Sequence, residues 1–185
     1  MARKTLGLVW AYTGLNLSAA MEYRAAFISQ VVGMALNDAM MIVFWYLFFR
    51  QFPTVGGWGL ADVLRLWGVV AVAFGLATAL FGQCVRLATL ISGGQLDYFL
   101  ALPKDTLLHV LISRMSTASW GDAAFGVIAF VVAGDLRPAA VLLFVVFALT
   151  GCAICVAYHV LVGSLAFWLG NSEAVSSQAS ATLIN

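Results

Sequence analysis

Four stretches of this chain stay apolar for long enough to cross a lipid bilayer, and that constrains the fold more than any other feature. A membrane-spanning helix needs about 20 mostly apolar residues. The first stretch runs from about Ala25 to Phe49, the second from about Leu66 to Val85, and the third from about Met115 to Val132. The fourth begins after Pro138 and stays apolar to about Leu169. That is longer than one span needs, which fits a tilted helix or one continued past the bilayer. Hydrocarbon offers no partner to backbone N–H and C=O groups, so runs of this kind must satisfy them internally as helices. The expected fold is an all-α polytopic membrane protein, a helical bundle with about four transmembrane helices in one domain over residues 1–185.

Composition agrees. Of 185 residues, 63% are hydrophobic and 9% are charged, against about 45–50% and about 25% in soluble domains. The partner this implies is the bilayer itself. A formal charge of +1 gives no reason to expect nucleic acid. The first 24 residues carry Arg3, Lys4, Glu22 and Arg24 and lack the apolar core and cleavage site of a secretion signal. No phosphate-binding glycine–lysine loop, zinc-protease motif or nucleophile elbow occurs. No cofactor and no catalytic role are therefore expected. Cys84, Cys152 and Cys155 lie inside apolar runs. Cys152 and Cys155 have redox-motif spacing but lack its strand–helix context, so packing is the better reading.

Orientation follows from Lys and Arg in short flanks. Arg3, Lys4, Arg24, Arg86, Lys104 and Arg114 fall on one side, and Arg50, Arg65 and Arg137 on the other. This bias puts the N-terminus and residues 86–114 in the cytoplasm. Before the first span, residues 6–24 mix Leu6, Val9, Trp10, Leu17 and Met21 with polar positions. They read as a helix lying in the cytoplasmic interface, with Trp10 and Tyr23 at headgroup depth. Residues 172–185 are polar and then turn apolar again, as the start of a further helix cut short would.

Residues 90–105, "LISGGQLDYFLALPKD", interrupt the apolar pattern. Gly93 and Gly94 should break the second helix and permit a sharp turn. Leu96, Phe99 and Leu100 follow at helical spacing on one face, with Gln95, Asp97 and Tyr98 elsewhere. Pro103 stops the run. Asp105 is placed to cap a next helix, with Leu107, Leu108, Leu111, Ile112 and Met115 apolar, that enters the third span. The result is a short amphipathic helix that is marginal alone and needs a surface to pack on.

Here the chain resembles the permease subunits of ABC exporters of the ABC-2 type, in the subgroup without a fused ATPase. The resemblance rests on "EYRAAF" (22–27), "GGWGLADVLRLWG" (56–68) and "ATLISGGQLDYFLALP" (88–103). Such permeases usually carry about six spans, so the last one or two would be missing here. The resemblance implies a coupling helix made of Gly94, Leu96, Asp97, Phe99, Leu100 and Pro103, seated on a separate ATP-binding-cassette ATPase subunit. It also implies a second permease, identical or related, a place in the cell membrane, and export of a small drug-like or lipid-like molecule. The residues themselves do not fix the direction.

Polar groups inside the spans are the remaining candidates. A charge at the bilayer centre costs about 2.5–3.5 kcal/mol on insertion scales, so such groups face a bundle interior or water. Asn37 and Asp38 fall near the middle of the first span and Asp122 inside the third. Each fits a transport pathway or helix packing. Arg114 and Asp122, eight residues apart, would share a helix face but not touch. Ser113, Ser116, Thr117 and Ser119 suit close helix contact or a hydrated cavity. His159 has no second ligand at metal spacing and fits packing or an interhelical hydrogen bond. Gly75 with Ala79, and Gly163 with Ala166 and Gly170, fit close helix approach. The alternative function is a proton-coupled secondary transporter that uses Asp38. The internal repeat common in such proteins is not evident. An intramembrane enzyme would need a catalytic constellation that the sequence lacks, while a membrane scaffold is compatible with it.

Overall fold

A computed structural model describes residues 2–103, 105–134, 136–169 and 178. Among them every extended element is helical, apart from one isolated bridge, Val55 to Trp58, in a tight turn. Helix α1 spans Ala2–Glu22 and α2 spans Arg24–Gln51, separated by non-helical Tyr23. Helix α3 covers Leu60–Leu80. A 3-10 turn at Cys84–Arg86 leads to α4, Leu87–Ser92, followed by α5, Leu96–Leu100, and α6, Thr106–Ile112. Helix α7 is Ser119–Val132, α8 is Pro138–Ser164 and α9 is Ala166–Leu169. The tail over 172–185 lies outside the described residues apart from 178.

Among the described residues, three helical segments are long and apolar enough to cross a membrane: Arg24–Gln51, Leu60–Leu80 and Pro138–Trp168. The all-helical membrane bundle expected from the sequence is the observed fold. The third expected span is shorter than read. At 14 residues, α7 is about 21 Å long at 1.5 Å per residue, below the roughly 30 Å of a bilayer core. The helix capped by Asp105 does not run on into it. It ends at Ile112, because the residues that follow bond elsewhere: Ser113 Oγ donates to the Val110 carbonyl at 2.7 Å and Ser116 N to the Thr78 carbonyl at 3.1 Å. Arg114 lies in this break, so helical spacing does not relate it to Asp122.

The second span also ends early. Its last helical residue is Leu80, and the Gly93–Gly94 pair closes α4 instead. The Thr78 carbonyl, which Gly82 N would take in a continuing helix, accepts from Ser116 N. A Cβ on Gly82 would lie 2.9 Å from both Ser116 N and the Arg114 carbonyl, so the chain can cross here only without a side chain.

The chain forms two compact units. The first comprises residues 1–22, 77–116 and 154–185. Its core is Leu87, Leu90 and Val110, with Ile91, Leu96, Phe99 and Val160 packed against them. Gly163 meets Leu87 so closely that a Cβ would sit 2.8 Å from the Leu87 Cβ. The second comprises residues 23–76 and 117–153. There Val72, Phe130, Phe144 and Ala148 form the core, with the rings of Phe130 and Phe144 stacked at 4.1 Å. Helix α7 packs on α3 through Gly68, Gly75 and Gly126, where added Cβ atoms would fall 2.6–2.8 Å from facing backbone. Small residues at such seams let backbones approach when lipid supplies no hydrophobic drive.

Candidate functional site

The insert over 90–105 is built largely as its sequence suggests. Gly94 has φ of +69°, a left-handed conformation that costs other residues strain. It turns the chain out of α4, and Gln95 N bonds the Leu90 carbonyl at 3.1 Å. Helix α5 is one turn of five residues, Leu96–Leu100. Asp105 then caps α6, its Oδ1 accepting from Leu108 N at 2.9 Å. Leu96 and Phe99 pack inward on Leu87, Leu90 and Val110. The expectation that Leu100 shares their face does not hold. Leu100 is 61% exposed and Tyr98 69%, and Asp97 is exposed beside them. The helix ends at Leu100, so that side chain has no following turn to fold it against the core. Pro103 is exposed in the bend beyond.

His109 is a residue that the sequence reading passed over. It is buried in α6 and shares a hydrogen bond through Nε2 with the Tyr12 hydroxyl of α1. Its ring also meets Tyr12 edge-on at 5.2 Å and Phe99 edge-on at 5.4 Å. Asn16 Nδ2 donates to the Ile112 carbonyl at 3.3 Å. The helix α1, with Trp10 75% exposed, is thus tied to α6 and, through one imidazole, to α5. The available signal was a polar ring in an otherwise apolar turn, four residues after the capping Asp105.

In the second unit, Asp38 of α2 and Asp122 of α7 come together. The two carboxyl groups lie near enough to influence each other, with the Asn37 side chain beside Asp38. Asp38 is 9% exposed and Asp122 5%. One oxygen of each, Asp38 Oδ2 and Asp122 Oδ1, has no hydrogen-bond partner. Beside them Gly121 sits directly on α2, where a Cβ would lie 2.6 Å from the Val31 carbonyl. Thr117, two residues before α7, donates from Oγ1 to Gln30 Oε1 of α2.

His159 bonds within its own helix, Nδ1 donating to the Cys155 carbonyl at 2.8 Å, rather than between helices. The three cysteines are buried and unbridged. No group of three or more His, Cys, Asp or Glu able to hold a metal occurs among the described residues.

Residues 35–184 match the family model described as ABC-2 family transporter protein. Neither curated proteins nor solved structures gave a match.

Proposed function

The chain belongs to the ABC-2 transporter family, and from that premise we propose that it is the membrane permease of an exporter driven by a separate ATP-binding-cassette ATPase subunit, with α5 as the helix on which that subunit acts. The observation that carries the reading is the division of labour within α5. Leu96 and Phe99 fix the helix to the core of its unit, while Asp97, Tyr98 and Leu100 face outward. A five-residue helix does not hold its shape alone. Anchored by two large apolar side chains, it is a stiff knob with an aromatic, an aliphatic and an acidic group on offer. Aromatic anchors with a polar rim are what protein interfaces use.

On this reading the N-terminus and residues 86–114 face the cytoplasm of a cell whose plasma membrane holds the protein. The Lys and Arg distribution supports that placement. A second permease, identical or related, completes the transport unit, and the exported molecule is small and drug-like or lipid-like. The ATPase supplies the hydrolysis and this chain supplies the moving membrane helices.

The test is co-purification of the chain with a candidate ATP-binding-cassette subunit. Tyr98→Asp with Leu100→Asp should weaken the complex at least tenfold, the loss of one anchor being worth about 2 kcal/mol or more, and leave the thermal midpoint of the permease unchanged. Leu96→Glu is the wrong probe, because it breaks the permease's own core. A complex that tolerates both outward substitutions removes α5 as the docking element.

A further inference from the structure

We propose that the first turns of α3, with the tight turn before them, bind the headgroup of a zwitterionic phospholipid. The inference does not depend on ATPase docking. It rests on a cavity of about 480 Å³ lined by Gly57, Trp58, Asp62, Arg65, Leu66 and Val69. Pockets that hold small ligands measure about 300–1,000 Å³.

The lining has an order. Asp62, Arg65, Leu66 and Val69 are spaced i, i+3, i+4 and i+7, which sets them on one face of α3. Asp62 lies in the first turn of the helix. Arg65 follows about 4.5 Å further along the axis and Val69 about 10 Å further, at 1.5 Å per residue. Helix α3 is long and apolar enough to cross the membrane, so this series runs from the membrane surface inward. It reads carboxylate, guanidinium, aliphatic. A zwitterionic phospholipid reads ammonium, phosphate, acyl chain in the same direction. Each level then meets its complement. A lipid with a phosphate and no amine leaves Asp62 opposite nothing, and a cationic amphiphile faces Arg65.

The two charges are fixed in place and still reachable. Asp62 Oδ1 accepts from Arg65 Nη1 at 3.1 Å, and its Oδ2 accepts from Gly59 N at 3.0 Å. Arg65 Nη2 donates to the Ala133 carbonyl at 3.4 Å, and its Nε has no partner among the described residues. A guanidinium has five donors and a carboxylate about four acceptor positions, so both groups keep capacity for a ligand. The Arg65 side chain is 37% exposed and that of Asp62 43%. The turn above them is equally defined. Gly56 and Gly57 take left-handed φ of +58° and +85°, as a two-residue hairpin turn requires. Val55 and Trp58 bond each other N to O in both directions at 3.0 Å. This closed turn presents Trp58 at the cavity. Tryptophan favours headgroup depth, and its ring face attracts an ammonium. Leu66, exposed below, offers the acyl chain an apolar surface.

The experiment is native mass spectrometry of the purified full chain in detergent, offered phosphatidylethanolamine and phosphatidylglycerol at equal concentration. The wild type should retain phosphatidylethanolamine over phosphatidylglycerol by about threefold, the worth of one half-exposed ion pair. Asp62→Asn keeps an acceptor for Gly59 N but removes the charge that meets the ammonium, and should abolish or reverse the preference. Trp58→Ala, at an exposed position, should lower retention of phosphatidylethanolamine and leave the thermal midpoint unchanged. Glycerophosphoethanolamine, the same headgroup without chains, should not compete at equal concentration. Equal retention of the two lipids by the wild type, or an undiminished preference in Asp62→Asn, overturns the proposal. Competition by the chainless headgroup also overturns it, assigning the cavity to a soluble zwitterion. If Asp62→Asn fails to fold, Trp58→Ala decides, and unchanged retention there overturns the site.

Discussion

Gly121→Ala offers the sharpest physical test of the second unit. The new Cβ would stand 2.6 Å from the Val31 carbonyl oxygen, 3.1 Å from the Met34 Cβ and 3.4 Å from Ala35 N. The first of these is backbone in the middle of α2 and cannot swing aside. Reaching an ordinary contact of 3.4 Å requires α7 to retreat by about 0.8 Å. Overpacking of this kind costs about 1–3 kcal/mol. The better helix propensity of alanine returns about 0.5–1 kcal/mol. The net expectation is a loss of about 1.5 kcal/mol, or roughly tenfold in the folded-to-unfolded ratio. The assay is SDS-driven unfolding in mixed micelles, followed by circular dichroism. Gly33→Ala is the control, since it lies on α2 and a Cβ there meets nothing within 4 Å. It should be neutral or mildly stabilising. Equal midpoints for the two variants would refute the close approach of α2 and α7.

Two further outcomes follow from the first unit. Asp105→Ala removes the side chain that caps α6 through Leu108 N and should cost about 1 kcal/mol, read as a lower thermal midpoint with faster amide exchange confined to 106–112. Tyr12→Phe keeps the ring contact with His109 and deletes the hydroxyl that bonds it. That should cost about 1–3 kcal/mol and accelerate exchange in α1 while leaving α7 unchanged.

Much of this was legible in the sequence for a simple reason. Apolar length, the Gly94 turn and the Asp105 cap are local properties, and local chemistry dictates them. The approximate spans and the short helix over 96–100 follow from that. Where the helices break was not legible. The end of α3 depends on Ser116 N reaching the Thr78 carbonyl, a contact between residues far apart in the chain. Asp38 and Asp122 could each be marked as a polar group inside a span, but only the packing of α2 on α7 at Gly121 reveals that both are buried in one unit. His109 was missed because a lone histidine in an apolar turn has no distinctive spacing. Its meaning comes from Tyr12, nearly a hundred residues earlier.

The division within α5 also constrains how force could pass through it under the docking reading. An ATPase that grips Tyr98 and Leu100 pulls on a helix too short to transmit strain along its own axis. The strain must leave sideways, through Leu96 and Phe99. Leu96 hands it to Leu87, Leu90 and Val110, which belong to α4 and α6. Phe99 hands it to the His109 ring and so to Tyr12 on α1. Close-packed interiors transmit displacement because they compress little. The outward residues thus set whether the partner binds, and the inward ones set whether binding moves anything. Trimming Phe99 to leucine should therefore separate the two: the complex with the ATPase should persist while transport per ATP hydrolysed falls. Loss of the complex together with transport would mean that Phe99 merely shapes the docking surface.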